Sequence, residues 1–245
     1  MSSKPILFNT KMVKAILDGR KTQTRRAIKI KNKLTRDWAI TTGVEWLKVD
    51  LKDEKYPYSI REQNGAWNEY SLQDFIKKYS HYKVGDVLYV RETWCYGSVV
   101  GEDDGYGNSE SWLEQLQSNI DDEKIFYKAD IEEALKEGVS FRDVIWKPSI
   151  HMPKEYARIF LKVINVRVER LQDISEDDLE KEGIVSYSEK WEKMECKCTK
   201  NNRCQRYCDR RLDFINLWNS TAKDGYKWED NPYVFVYEFE RIEKQ

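Results

Sequence analysis

Residues 17–26 concentrate the side chains of this chain that could do chemistry. Within ten residues they supply one amine, two hydroxyls and three guanidiniums. Apolar residues at helical spacing come before them, and Gly19 offers the left-handed conformation that commonly ends a helix. Residues 21–26 therefore follow a helix end as a polar, cation-rich segment, which suits an anionic or nucleotide-like ligand. A solvated basic loop is the alternative that charge alone leaves open.

A second group of reactive side chains is a cluster of four cysteines in a short polar segment: Cys196, Cys198, Cys204 and Cys208. Disulfides are disfavoured in the cytosol, whereas four thiolates suit one tetrahedral zinc ion. The spacing departs from paired C-x2-C motifs, so four reduced thiols in a polar insertion are the alternative. The sequence thus predicts a structural zinc ion as a candidate and no organic cofactor.

Two further candidate ligand contacts lie in the middle of the chain. Arg91 and Glu92 follow an apolar strand and precede Trp94, a combination that can bind a base edge or a phosphate and stack on a ring. The alternative is an internal ion pair beneath a core tryptophan. His151 follows an isoleucine and suits a ligand contact or an acid–base role near neutral pH. The alternative for His151 is a buried structural histidine.

Composition and charge narrow the class of protein. The 245 residues include 40% apolar residues, nine Trp and fifteen Tyr, which is ample for a packed core. There is no apolar run long enough to span a bilayer and no signal-peptide pattern, so we expect a cytoplasmic protein without a membrane partner. The net charge is only −1.

The charges are nevertheless unevenly distributed. Residues 1–40 carry eleven Lys or Arg against two Asp, whereas residues 101–145 carry thirteen Asp or Glu against four Lys or Arg. A basic N-terminal segment fits contact with a phosphate backbone. The acidic segment, together with the cysteine segment, is a candidate docking surface for a host protein. The remaining alternative is that the two oppositely charged segments face each other.

The order of predicted elements is mainly short strands with interspersed helices. Thr10 is the predicted N-cap of the first helix, Ser71 begins a capping box, and Gly183 follows the end of a later helix. Residues 157–168 alternate as a strand but change phase near Ile164, as a β-bulge would cause. This pattern favours an α+β protein, a mixed β barrel or half-barrel with helices, over a doubly wound sheet.

Segments spread over the whole chain resemble one known family. They are residues 4–9, 16–26, 85–94, 127–130, 146–153, 171–175 and 231–241. Together they resemble the ASCH-domain proteins of the PUA-like superfamily, in particular the longer variants encoded by bacteriophages and prophages. The resemblance implies a single elaborated domain over residues 1–245, built on a PUA-like mixed β barrel with flanking helices. Polar insertions are expected near 36–80, 95–125 and 185–210.

The resemblance also implies a function. ASCH domains are expected to bind RNA, a nucleotide or a modified base in a cleft, and one bacterial branch hydrolyses N4-acetylcytidine with a Lys, a Thr and a Glu. Its Gly-x-Lys-x-x-Thr pattern is matched by Gly19, Lys21 and Thr24, and its Glu falls at Glu182. Thr24 would be the nucleophile, Lys21 the base with a pKa lowered by burial beside arginines, and Glu182 the proton carrier.

These expectations leave three functional hypotheses open. The first is a nucleoside amidohydrolase with reactive residues Lys21, Thr24 and Glu182. Around its ligand we expect Arg25, Arg26, Arg91, Glu92, Trp94 and His151. The second is a module that binds nucleic acid or a modified base without catalysis. The third is a phage protein that docks on a host protein.

Overall fold

The computed structural model describes residues 3–29, 47–61, 65–97, 124–131, 145–184 and 205–244. Most of the predicted insertions near 95–125 and 185–210 therefore lies outside the described residues, as do residues 36–46 and 62–64 of the insertion near 36–80 and most of the cysteine segment. Within the described ranges the chain forms two compact units, each assembled from separate stretches of sequence. The prediction of one domain over residues 1–245 stays a prediction.

The described residues form ten strands and four α-helices. The strands are β1 (Ser3–Leu7), β2 (Gln23–Ala27), β3 (Leu47–Val49), β4 (Tyr58–Arg61), β5 (Trp67–Tyr70), β6 (Val87–Arg91), β7 (Trp94–Gly97), β8 (Lys124–Tyr127), β9 (Phe160–Arg170) and β10 (Tyr233–Ile242). The helices are α1 (Thr10–Leu17), α2 (Leu72–Tyr79), α3 (Glu176–Lys181) and α4 (Gln205–Thr221). Strands and helices are interspersed, so the α+β prediction is confirmed.

The first unit comprises residues 1–21, 87–162 and 240–245. Its β1 runs parallel to β6, with Ile6 opposite Val90, and β6 pairs antiparallel with the beginning of β9. β7 and β8 form a separate antiparallel pair. The apolar core beside this pair consists of Trp94, Met152, Ala157 and Phe160. Burial of these side chains is the main favourable term that holds the unit together.

Helix α1 leads to the first candidate residue, Lys21. Its N-cap is Asn9, whose side chain accepts a 2.9 Å hydrogen bond from the backbone of Met12, so the prediction of Thr10 was wrong by one residue. Gly19 has a φ of 74°, which confirms the left-handed position after the helix. The backbone N–H of Lys21 then donates to the carbonyl of Ala15 at 2.9 Å.

The second unit comprises residues 22–86 and 163–239. Its β2 pairs antiparallel with β10, and β3, β4 and β5 form a three-stranded antiparallel sheet. The predicted capping box of α2 is confirmed, because the Ser71 hydroxyl accepts from the backbone of Asp74. The core of this unit lies between α3, α4 and β10. It consists of Leu171, Ile174, Leu179, Phe214, Val234 and Val236.

The order of hydrogen-bonded strands in the largest sheet is β1-β6-β9-β10-β2. Alternating burial along β9 is interrupted where Ile164 and Asn165 are both exposed, at the predicted change of phase. Neither this sheet nor the two smaller ones closes into a barrel within the described ranges. In the same part of the chain, no helix has the length and apolar character to cross a membrane.

Candidate active site

Strand β2 presents chemically different side chains on its two faces, since successive residues of a strand point to opposite sides. Gln23 and Arg25 point toward α3, where both contact Asp178. Thr24 lies opposite Tyr237 of β10, and side chains of directly opposed residues share a face. The strand therefore separates an ionic face, which carries Arg25, from a hydroxyl and phenol face, which carries Thr24.

The Arg25 guanidinium is held by three carboxylates. Its Nη1 donates to Glu182 at 3.0 Å, its Nη2 to Asp178 at 2.7 Å, and its Nε to Glu169 at 2.9 Å. The Arg25 side chain is only 1% exposed. Burial alone would lower its pKa, but the attraction of Glu182, Glu169 and Asp178 outweighs burial and raises it. Arg25 is therefore a permanently charged, fully engaged cation.

Arg167 of β9 extends the same network. It donates to Glu169 at 3.1 Å and to Asp178 at 3.0 Å, and it also contacts Glu238. Burial tends to raise the pKa of Asp178, but Arg25, Gln23 and Arg167 outweigh it, so the pKa lies below its usual range. Two guanidiniums are thus shared among four carboxylates. This arrangement fixes carboxylate positions, because the guanidinium donors already have partners.

Glu182 lies where α3 ends against the beginning of β2. Its backbone N–H donates to the backbone carbonyl of Asp178 at 2.8 Å. Gly183 follows with a φ of 84°, so the predicted helix end is confirmed. The backbone N–H of Thr22 donates to the carbonyl of Lys181 at 2.9 Å. Glu182 itself is 5% exposed. The structure thus brings the predicted carboxylate to the strand that carries Thr24, across 157 residues of sequence between Arg25 and Glu182.

Two tyrosines that the sequence did not single out, Tyr82 and Tyr237, lie at the Thr24 face of β2 with their ring centroids 5.2 Å apart. Thr24 is 1% exposed and pairs with Tyr237, whose phenol lies 2.9 Å from the Ser80 hydroxyl. Burial raises the pKa of Tyr82 to about 12, against the opposing effect of Arg26. Burial likewise lowers the pKa of Arg26, against Tyr82, Glu182 and Tyr237. Alternating aromatic residues in the last strand were the only available signal for Tyr237.

Lys21 is the last residue of the first stretch of the first unit. Its side chain is 2% exposed, and its ammonium lies 5.5 Å from the centroid of the Phe8 ring. It lies outside the regular strands, in the segment between α1 and β2. A lysine that is this deeply buried is uncommon unless its charge has partners. Its assignment as the base stays a prediction.

The other candidates of the first unit have well-defined partners. Arg91 donates from Nε to the carbonyl of Met152 at 2.7 Å. Glu92 is 1% exposed and pairs with Arg158 at 2.9 and 3.0 Å, so its ion-pair partner is Arg158. Burial raises the pKa of Glu92, against the attraction of Arg158. Trp94, two residues after Glu92, belongs to the apolar core of this unit.

His151 ends a short 3-10 turn, Ser149–His151, and its side chain is exposed. Exposure removes the alternative of a buried structural histidine. It leaves the ring accessible to a ligand. The ligand role of His151 stays a prediction.

The predicted zinc ligands fall on residues of which little is described. Cys196, Cys198 and Cys204 lie outside the described residues, and Cys208 lies in α4 where its side chain is not described. No other group of metal-binding side chains occurs among the described residues. The remaining cysteine, Cys95, is buried, and burial raises the pKa of its thiol to about 11. Such a thiol is protonated at neutral pH.

Comparison of the chain with protein-family models, with curated proteins and with solved structures found no match. On one face β2 carries the buried hydroxyl of Thr24, and on the other Arg25 holds the buried carboxylate of Glu182 together with those of Asp178 and Glu169. Oriented carboxylates of this kind serve as proton carriers in hydrolytic reactions.

Proposed function

We propose that this protein binds RNA or a modified nucleoside and hydrolyses an N-acylated base of the N4-acetylcytidine type. Thr24 is the nucleophile in this proposal, and Glu182 carries the proton to the leaving amine. The reaction consumes one water and yields a carboxylate, such as acetate, and the free nucleoside. No organic cofactor takes part. The protein acts in the cytoplasm of a bacterial host, consistent with a phage or prophage origin.

The main support for the proposal is the contact between the end of α3 and the beginning of β2. The end of α3 and the beginning of β2 adjoin through the bond from Thr22 to Lys181, and Arg25 binds the Glu182 carboxylate one residue after Thr24. The resemblance to the ASCH family assigned Thr24 and Glu182 independently of any coordinates. Arg25 holds Glu182 from the opposite face of β2, but the charge of Glu182 also acts on Arg26, which shares the Thr24 face, and this supports a shared chemical role.

The chemistry proceeds in two halves. The Thr24 hydroxyl attacks the acyl carbon and its proton passes to a base, for which the family pattern assigns Lys21. When the C–N bond breaks, Glu182 relays this proton from the base to the departing amine nitrogen, so that the base and the carboxylate both return to their starting states. Water then hydrolyses the acyl-threonine ester and regenerates the hydroxyl. Arg25 keeps Glu182 in position throughout, and Arg26, on the Thr24 face, is the proposed ligand contact in the second unit. Arg91, Glu92, Trp94 and His151 belong to the first unit, and their ligand roles stay predictions.

The function is tested by acetate release from N4-acetylcytidine. The wild-type protein is expected to release acetate and cytidine in equal amounts, and Thr24→Val is expected to lose this activity because the nucleophile is gone. Thr22→Val is the matched control, since Thr22 is exposed and two residues away. Circular dichroism confirms that both variants fold. Equal rates for the two variants would contradict the role of Thr24.

Binding without catalysis is the second candidate function. It is favoured because the Arg25 guanidinium already donates from all three of its nitrogens to three carboxylates of the protein instead of to a reacting group. Under that function N4-acetylcytidine binds to the wild-type protein but no acetate appears. Docking on a host protein through residues 101–145 also stays a prediction, because most of that segment lies outside the described residues. We further propose that the described sheets are part of a PUA-like β barrel, as the sequence resemblance implies.

We also propose that Cys196, Cys198, Cys204 and Cys208 bind one structural zinc ion, because four clustered thiolates suit tetrahedral coordination. Elemental analysis of the purified wild-type protein is expected to give about one zinc per chain. Cys204→Ser is expected to lose most of it, whereas Cys95→Ser, which changes the isolated cysteine, retains it. Equal zinc contents in the two variants would reject the site.

A further inference from the structure

The first unit contains a corner of aromatic rings around an ammonium group. The Nζ atom of Lys147 lies 4.8 Å from the centroid of the Trp94 ring and 4.5 Å from that of Tyr96. Both distances are within the range of cation–π attraction. The planes of the two rings are inclined by 77°, so they form two walls nearly at right angles. The ammonium therefore contacts two ring faces at once.

Backbone pairing fixes this placement. Lys147 donates from its backbone N–H to the Trp94 carbonyl at 2.8 Å, and Trp94 donates to the Lys147 carbonyl at 3.3 Å. This is an isolated antiparallel bridge, and directly opposed residues in such a pair project to the same side. The Lys147 side chain consequently lies over the indole. Within the described ranges it has no carboxylate partner, so the rings are what hold its charge.

The two rings are themselves held rigidly. Trp94 packs against Tyr156 with centroids 5.2 Å apart, and the phenols of Tyr96 and Tyr156 share a 2.6 Å hydrogen bond. Tyr127 donates from its hydroxyl to the Tyr156 carbonyl at 2.7 Å. The corner is therefore organised before any ligand arrives, and preorganisation lowers the cost of binding.

The indole N–H of Trp94 is a hydrogen-bond donor that has no acceptor in the part of the chain that the structure describes. Its Nε1 atom is buried. Buried indole N–H groups ordinarily find an acceptor. This open donor is independent of the position of Lys147. Both observations concern Trp94: its ring face attracts a cation, and its open N–H is a donor that the hydroxyl of a cation such as choline would satisfy in addition.

We propose that Trp94 and Tyr96 form a binding site for a quaternary ammonium group, which the Lys147 ammonium occupies in the free protein. Two ring walls nearly at right angles suit a compact, rounded cation, whereas a planar base would need parallel surfaces. A quaternary ammonium has no N–H groups that require acceptors, and aromatic rings bind it well. The Lys147 side chain is exposed, so its ammonium can return to water when the ligand enters.

Lys147 is thus an internal competitor of the ligand. A site that is free for only a fraction of the time shows an affinity reduced by that fraction. Removing the ammonium of Lys147 should therefore tighten binding of an external cation. This expectation separates the proposal from simple core packing of Trp94, which predicts no effect of Lys147 on any ligand.

The test is a titration of the full-length protein with tetramethylammonium, followed by the NMR signal of the Trp94 indole N–H. That signal is assigned by its loss in Trp94→Phe. Lys147→Ala is expected to bind about tenfold more tightly than the wild-type protein, and Tyr96→Leu about tenfold more weakly than the wild-type protein. Lys128→Ala is the matched control, because Lys128 lies near a different ring, Trp146, at 6.0 Å.

Comparison of choline with its neutral carbon isostere 3,3-dimethyl-1-butanol distinguishes cation binding from apolar contact, because both probes carry the same hydroxyl. Equal affinity for the neutral and the cationic probe would overturn the proposal, as would unchanged affinity in Lys147→Ala or an equal gain in Lys128→Ala. If Tyr96→Leu does not fold, the comparison of the two lysine variants still decides the matter. Choline and a peptide containing trimethyllysine then separate the two sources of the same group, a small metabolite and a modified side chain.

Discussion

Glu182→Gln is expected to slow acetate release from N4-acetylcytidine by about 10²–10⁴-fold while the protein stays folded. Glutamine keeps the length of the side chain and an oxygen for the 3.0 Å bond from Arg25, but it cannot carry a proton to the leaving amine. The remaining carboxylates of Asp178 and Glu169 still balance Arg25. The effect should therefore appear in kcat rather than in the free energy of unfolding.

The matched control is Glu180→Gln on the same helix. Glu180 is 70% exposed and carries the same charge two residues away. Initial rates of both variants at saturating substrate make the comparison. A rate for Glu182→Gln equal to that of Glu180→Gln would show that the buried carboxylate takes no part in the reaction.

Arg25→Met is expected to lower the free energy of unfolding by about 3–5 kcal/mol, the usual cost of removing one partner of a buried ionic group. Methionine fills a similar volume but leaves Glu169, Asp178 and Glu182 close together without the central cation. Like charges at this spacing repel, and their burial becomes uncompensated. Urea denaturation at neutral pH measures the loss.

Arg20→Met is the control for Arg25→Met. Arg20 forms a 2.7 Å ion pair with Asp18, and the two side chains are 35% and 55% exposed. Such a surface pair contributes only about 0–1 kcal/mol. Arg25→Lys should lie between the two, because lysine keeps the charge but cannot present a planar guanidinium to three carboxylates. A loss for Arg25→Met no larger than for Arg20→Met would mean that the network contributes little to stability.

Local features of the fold could be predicted because they depend on neighbouring residues. Gly19, the capping box at Ser71 and the helix end before Gly183 each follow from short patterns, and the structure confirms them. The N-cap of α1 was predicted one residue late, since Asn9 and Thr10 are both good caps and sequence does not choose between them. Element boundaries are decided by such small differences.

The ionic network could not be predicted in full, because its members come from four elements, β2, β9, α3 and β10, that are distant in sequence. Two parts of it had a signal. Asp178 and Glu182 are four residues apart in and after α3, and Arg167 and Glu169 are two apart on β9, so each pair shares one face of its element. That these faces meet at Arg25 is a tertiary fact. Local pattern carries no information about such a meeting.

Arg25 illustrates how tertiary structure changes the interpretation of a residue. In the sequence it is one of several cations in a segment suited to an anionic ligand. In the structure its guanidinium is 1% exposed and binds carboxylates of the protein itself. In this position Arg25 orients the carboxylate of Glu182 rather than a ligand. A prediction of ligand contact is more favourable for Arg26, which is only partly buried.

The central claim is that Arg25 holds Glu182 in position, and a double-mutant cycle tests it most directly. The free energies of unfolding of the wild-type protein, Arg25→Met, Glu182→Gln and the double variant are measured by urea denaturation. We predict a coupling energy of about 1–3 kcal/mol, as expected for residues in one ionic network. Losses that add to within about 0.3–0.5 kcal/mol, the usual result for independent sites, would contradict the claim.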